Sequence, residues 1–301
     1  MNTYTIYICK SIWSQPDIEI YNSFAKYLNN KGMEVTIKKV TSFELKPYYF
    51  FKKNWKFTDD FGFIQDNKSG SFWVLNFSCH VDTYDKKLKE ILRDPRCRVF
   101  LKVQYRESAY NKYPFTKIKP WVFFEARPQE MQSQLENWRK HKRTYKSLYF
   151  RGKTGHKRRE AILEHIKEKG VINPESNSVN YRQYLKESCQ YKIILSLPGW
   201  GIFCHREIEG FGLGTPVLMP KLKNSLHNDL EPDYHYISVD VDTEKENAKL
   251  AADKIVERFF QVIDDHEYLD FVAKNAMQWY DENVRYPNCM ELTARLLGLN
   301  K

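Results

Sequence analysis

Short apolar runs closed by Gly, Pro or polar clusters alternate along this chain with longer stretches in which apolar positions return every three or four residues. In the first half the runs predict strands at 4–9, 34–39, 72–79, 98–104 and 121–124, and the longer stretches predict helices at 16–30, 84–93 and 129–141. A Phe-, Tyr- and Lys-rich loop fills the space up to about Gly70. The second half keeps the alternation, with strands at 147–151, 191–197, 215–219 and 236–239 and helices at 156–169, 180–188, 203–213 and 246–263. Two further helices follow near 265–282 and 288–298. Strands alternating with helices predict an α/β fold with largely parallel sheets. A polar, basic segment near Thr144 divides the chain into two Rossmann-like domains, 1–144 and 145–284, and the last helix, about 285–301, is expected to pack back on the first.

Within this pattern the segment 191–220, YKIILSLPGWGIFCHREIEGFGLGTPVLMP, reads as strand, glycine turn, helix and strand. Ile193, Ile194, Leu195 and Leu197 suit a strand covered on both faces, and Pro198, Gly199 and Gly201 break it. Gly212 and Gly214 close the helix. Glycines at the carboxyl end of a strand, followed by a helix N-terminus with Arg206 on its first turn, form an arrangement suited to a diphosphate. Trp200 in the turn packs on a sugar or on the core. The glycines match neither GxGxxG nor GxxxxGK[ST], so alone they are equally the tight turn of any βαβ unit. A second cationic turn upstream strengthens the reading: SLYFRGKTG (147–155) ends a strand with Arg151, Gly152, Lys153, Thr154 and Gly155 before a helix.

The formal net charge of +10 calls for an anionic partner without saying whether that is a nucleic acid, a membrane surface or a phosphorylated small molecule. Much of the excess is diffuse, although Lys52, Lys53 and Lys56 form one cluster and Arg139, Lys140, His141, Lys142 and Arg143 another. No apolar run is long enough to cross a membrane, and the first residues open on an alternating strand rather than a secretory signal, so a cytoplasmic location is expected. The six cysteines lack CxxC or zinc spacing and read as free thiols.

Several of these segments, in the same order, resemble the CAP10-like protein O-glucosyltransferases and fungal capsule xylosyltransferases. Phe150-Arg151-Gly152 and the turn after it are similar to that family's FRG(S/T) motif, and 121–125 (WVFFE) to its WTFWEGGP segment. Tyr191-Lys192 matches its YK strand, Arg206 with Gly214 its S-x-R…CGS helix, and 234–239 (YHYISV) its W-x-HY-x-PV strand. The resemblance spans about residues 73–295. It implies a GT-B fold, two Rossmann-like domains facing across a cleft, and a metal-independent, inverting transfer of xylose or glucose from UDP-xylose or UDP-glucose to a hydroxyl of a glycan or protein acceptor. It implies no cofactor beyond that donor, no metal and no nucleic acid.

Carried over residue by residue, Arg206 matches the arginine on the donor diphosphate. The turn of Arg151, Gly152, Lys153 and Thr154 matches the donor-binding turn, and Gly199, Trp200, Gly201, His235 and Tyr236 are expected to be further donor contacts. The family's general base lies in a segment like N-x-R-D-Y-P; here 76–84 (NFSCHVDTY) offers Asp82, with His80 as the rival. The sequence departs from the pattern in having His80 and Val81 before the aspartate and no Pro after it, a turn one residue shorter after FRG, and Cys204 where a serine is usual.

The chemistry asks for the same parts. Displacement at an anomeric carbon needs a carboxylate to take the acceptor proton and cations to hold the departing UDP. Asp82 is either that base or the N-cap of helix 84–93. Arg206 is a diphosphate ligand or a helix-surface partner of Glu207 or Glu209, and Glu125 binds hydroxyls or pairs with Arg127. Asp240-Val241-Asp242 spells the DxD with which other transferases hold a metal, but its place between a strand and a helix predicts a solvated turn, and 264–266 reads as a helix junction. The other readings are a GT-B enzyme with a different nucleotide-sugar and a basic polyanion-binding protein, which would bind oligonucleotides with steep salt dependence.

Overall fold

The computed structural model describes residues 2–9, 15–40, 61–77, 91–106, 117–121, 128–152, 156–173, 179–199, 201 and 203–299. Among them the chain forms two α/β units: 1–128 with 224–227 and 286–301, and 129–223 with 228–285.

The first unit is built on β1 (Thr3–Cys9), β2 (Glu34–Val40), β3 (Phe61–Asp66), β4 (Phe72–Asn76), β5 (Cys97–Lys102) and β6 (Ile118–Pro120), ordered β2-β1-β3-β4-β5-β6. All neighbours pair in parallel except β3, which runs antiparallel to both β1 and β4. The sheet is therefore mixed, and β3 occupies part of what the sequence pattern leaves as loop. A tight turn makes it so: Asp66 Oδ1 accepts the Lys68 and Ser69 amides at 2.8 and 3.1 Å, and Gly70 takes φ +69°, which suits glycine. Helix α1 (Gln15–Asn30) buries Ile20, Tyr21, Phe24 and Leu28, one face at helical spacing. It lies so close to β3 that a Cβ on Gly62 would stand 2.4 Å from the Tyr21 ring. The last helix of this unit is the last in the described chain. Trp121, fully buried just past β6, donates its indole N–H to Thr293 Oγ1 (3.1 Å) on helix 288–297.

The second unit holds α2 (Pro128–Arg139), β7 (Tyr145–Tyr149), α3 (Lys157–Glu168), β8 (Ile172–Asn173), α4 (Tyr181–Ser188), β9 (Tyr191–Leu195), α5 (His205–Leu213), β10 (Val217–Pro220), β11 (Ile237–Val239), α6 (Ala248–Val262) and α7 (His266–Asn283); α8 (Asn288–Leu297) belongs, like α1, to the first unit. Its five strands, ordered β11-β10-β9-β7-β8, are all parallel. Alternate residues of β9 face opposite layers. Ile193 and Leu195 join Ile162 and Ile166 of α3 and Ile255 and Phe259 of α6 in one core, while Ile194 meets α5 near Gly210. That two-sided burial is why the strand reads as a continuous apolar run. Asn180, Asn247 and Asp265 cap α4, α6 and α7 with their side chains.

Candidate ligand site at the switch point of the second unit

From β7 the chain crosses to β8 on one side, then returns to place β9, β10 and β11 on the other. At such a reversal the βα connections leave in opposite directions, and the carboxyl ends of the two central strands border an opening in which ligands of open α/β sheets bind. Tyr149 and Ile194 are register partners, so the turns after β7 and β9 leave the same sheet edge side by side. These are the Phe150-Arg151-Gly152 turn and the Ser196–Gly201 turn, the two glycine-bearing cationic turns of the sequence. The topology brings them together.

Two guanidinium groups meet there by a crossed arrangement. Arg206, on the first turn of α5 after β9, reaches the turn after β7: its Nη2 donates to the Arg151 carbonyl at 2.9 Å, and its guanidinium carbon sits 4.3 Å from the Phe150 ring centroid. Arg159, on the first turn of α3 after β7, reaches the turn after β9, and its guanidinium carbon lies 5.8 Å from the same ring. The glycines make room. A Cβ on Gly152 would stand 2.7 Å from Arg206 Nη2, and one on Gly199 2.8 Å from Arg159 Nη1. The glycines ease the close approach of these two guanidiniums, and neither takes a positive φ.

Arg206 Nη1 also donates to Ser196 Oγ (3.3 Å), which donates in turn to Glu207 Oε1. Glu207, 2% exposed, accepts the Cys204 amide with its other oxygen (2.8 Å) and so closes the N-terminus of α5. Burial pushes the Glu207 carboxyl above its ordinary range, against the pull of Arg206 and of its hydrogen bonds. Burial lowers the Arg159 guanidinium, and the charge of Arg206 lowers it further. Arg206 Nε is buried without a hydrogen-bond partner. Cations gathered at the positive end of a helix oppose the helix dipole, and an anion between them reverses that penalty.

Arg151 turns its side chain toward α4. Its side chain is 7% exposed and Nε donates to Glu187 Oε2 on α4, while its carbonyl serves Arg206. His235 is half-buried, and Nδ1 accepts the Glu231 amide (2.9 Å), which leaves the proton of the neutral ring on Nε2. Burial lowers its pKa, opposed by Glu231 and Glu282. Tyr236 is 1% exposed, with its oxygen accepting the Leu222 amide at 3.3 Å. Gly199 N–H donates to the Gly201 carbonyl (3.2 Å) across the turn. His80, Asp82, Glu125, Lys153, Thr154 and Trp200 lie outside the described residues; the segment with His80 and Asp82 follows Asn76 and Phe77 at the carboxyl end of β4.

Two other sequence features find their places. Of the basic run 139–143, Arg139 Nε donates to the Gly212 carbonyl and Arg143 Nη2 to the Leu213 carbonyl, both at 2.7 Å, so these two close the C-terminus of α5. Asp242 accepts the Glu244 and Lys245 amides at 3.0 and 3.2 Å and pairs with Lys223 at 3.0 Å, a turn leading toward α6. Among the described residues no group of three or more His, Cys, Asp or Glu side chains is placed to hold a metal ion, and no helix is long and apolar enough to cross a membrane. Arg159, the Phe150 platform and the Ser196–Glu207 link were missed by sequence reasoning. Only the position of Arg159, on the first turn after a glycine turn, could have signalled any of them.

No protein-family model matches the chain, and neither does any curated protein. Several solved structures are similar to it. A mutant of TarM from S. aureus, in complex with Fondaparinux, alpha-GlcNAc-glycerol and UDP, aligns over 74% of this chain and 49% of its own at 14% identity and a TM-score of 0.48. The pneumococcal O-GlcNAc transferase GtfA in complex with UDP and GlcNAc aligns over 72% and 48% at 12% identity and a TM-score of 0.44. Another structure of TarM aligns over 100% and 99% at 9% identity and a TM-score of 0.42. The chain thus spans about half the length of the first two.

Proposed function

We propose that this chain is a glycosyltransferase of the GT-B kind whose second unit binds the diphosphate of a UDP-sugar at the β7/β9 switch point. The convergence of Arg206 and Arg159 over Phe150, with glycines beneath both guanidiniums, carries the reading. Two fixed cations suit the charge that develops on a departing nucleoside diphosphate, and such preorganised groups stabilise a transition state without moving. In this reading the chain's own guanidiniums supply the positive charge, so the transfer is metal-independent.

The ordered resemblance to the CAP10-like enzymes supports xylose or glucose as the transferred sugar, a glycan or protein hydroxyl as acceptor, and inversion at the anomeric carbon. Asp82 takes the acceptor proton as the acceptor oxygen attacks C1. The bond from C1 to the diphosphate oxygen breaks on the opposite face, and UDP leaves with the electron pair beside Arg206. His80 is the base if Asp82 instead caps the helix after it.

A UDP-release assay across UDP-xylose, UDP-glucose, UDP-galactose and UDP-GlcNAc, with EDTA and simple sugar acceptors, tests this. Turnover with one donor despite EDTA is expected. Arg206→Ala should lower kcat/KM by roughly 100- to 1000-fold, the loss expected for one charged transition-state contact. Asp82→Asn should abolish transfer while leaving UDP affinity intact. Normal turnover in Asp82→Asn moves the base to His80, and silence with every donor together with no UDP binding rejects the reading.

A further inference from the structure

Arg206 does not fix its own position. The carbonyl of Arg151 and the ring of Phe150, together with Ser196 Oγ, set where its charge stands, so the geometry of the site depends in part on what holds the 150–152 turn. One carboxylate does this. Glu187, in the last turn of α4, accepts Arg151 Nε at 2.5 Å and Tyr149 Oη at 3.1 Å on one oxygen and Gln183 Nε2 at 2.8 Å on the other. It thereby grips the end of β7 and the start of the turn together. Partial burial works to raise the Glu187 carboxyl, but the hydrogen bonds from Arg151, Gln183 and Tyr149 outweigh it and hold the group below its ordinary range, so it is charged at neutral pH.

A negative charge bonded to a turn that borders an anion site is paradoxical on Coulombic grounds, because it repels the ligand and partly neutralises the field that attracts it. We propose that Glu187 is a positioning residue for donor binding: it fixes Arg151, whose carbonyl fixes Arg206. This rests on the reading that the switch point takes a nucleoside diphosphate. The two roles open to Glu187 predict opposite signs. If it acts only through charge, its removal strengthens UDP binding. If it acts by position, its removal weakens binding even though the site becomes more positive.

Titration calorimetry with UDP on the full chain separates them. Glu187→Gln is expected to raise the Kd about tenfold, and Glu187→Asp, which keeps the charge but withdraws the carboxylate by one methylene, to raise it severalfold. In an Arg206→Lys background, which keeps a cation but loses the planar fork, Glu187→Gln should change the Kd by less than about twofold, because the link it supports is already gone. A Kd that stays the same or falls in both Glu187 variants overturns the proposal, as does an equal loss in both Arg206 backgrounds, which would mark general damage to the fold. Wild-type protein that binds neither UDP nor any other nucleoside diphosphate would reject the reading of the site itself, and the proposal with it.

Discussion

A single side chain can set a loop, and Asp233 is the clearest case. Its carboxylate accepts the Ser238 amide and hydroxyl, Arg258 Nη2 and Tyr268 Oη, all within 3.1 Å, while its own backbone stands at φ +59°. Burial works to raise its pKa, but these hydrogen bonds prevail and hold it below the ordinary range. A depressed folded value means that the stability it contributes is present above the carboxylate range and is lost as pH falls through the folded value. Asp233→Asn keeps the tolerance for positive φ and removes the charge. It should cost about 1 kcal/mol at neutral pH, a modest figure because the side chain is 46% exposed, and the gap between variant and parent should close in acid. Urea titrations at pH 7 and pH 3 would show this, and a gap that widens in acid would refute it. At this scale the sequence disclosed Arg206, because a cation on the first turn after a glycine break is a local pattern. Arg159 shares that local pattern and was passed over, whereas the meeting of the two guanidiniums and the destination of the Arg151 side chain follow from β7 lying beside β9, a pairing of residues far apart in the chain.

Helix α5 joins the two turns and shows what an element must satisfy to hold a site. Glu207 closes its N-terminus, Arg139 and Arg143 close its C-terminus, and Gly214 ends it at φ +66°. Gly210 lets it approach β10: a Cβ there would stand 2.4 Å from Val217 Cγ2. Alanine is the better helix former, yet Gly210→Ala should destabilise the protein by roughly 1–3 kcal/mol through overpacking, with a fall in thermal midpoint. A midpoint at or above the parent's would show that the helix can shift freely. Apolar periodicity placed α5 and its neighbours within a few residues, since each is amphipathic or wholly buried. The same reasoning passed over β3, although FGFIQ, then DNKSG, then SFWVL is a strand, a turn and a strand in plain succession. The aromatic and lysine-rich residues before it drew the whole stretch into one loop, and parallel alternation left no place for an antiparallel strand.

On the scale of the whole molecule, neither unit is a continuous piece of chain. Residues 224–227 belong to the first unit, tied by Asn224 Nδ2 to Gln104 Oε1 (2.7 Å) and by the Ser225 amide to the Tyr105 carbonyl (2.9 Å), and α8 returns to it after the second unit is complete. Thr293 shows how α8 is fastened. Its hydroxyl donates to the Cys289 carbonyl at 2.7 Å and accepts from the buried Trp121 indole. Thr293→Val keeps the shape and strands that indole N–H without a partner, which should cost roughly 1–3 kcal/mol. A shift in denaturation midpoint, followed by tryptophan fluorescence, would measure it, and an unchanged midpoint would mean that Trp121 finds another acceptor.

The return of α8 also orders events during synthesis. A ribosome makes most of the first unit before any of the second, yet the groove that receives α8 stays unfilled until residues past 286 have left the tunnel, after the whole of the second unit. Domains fold as units once their parts are available. The buried indole of Trp121, made early, therefore gains its Thr293 partner only after the whole of the second unit has been made.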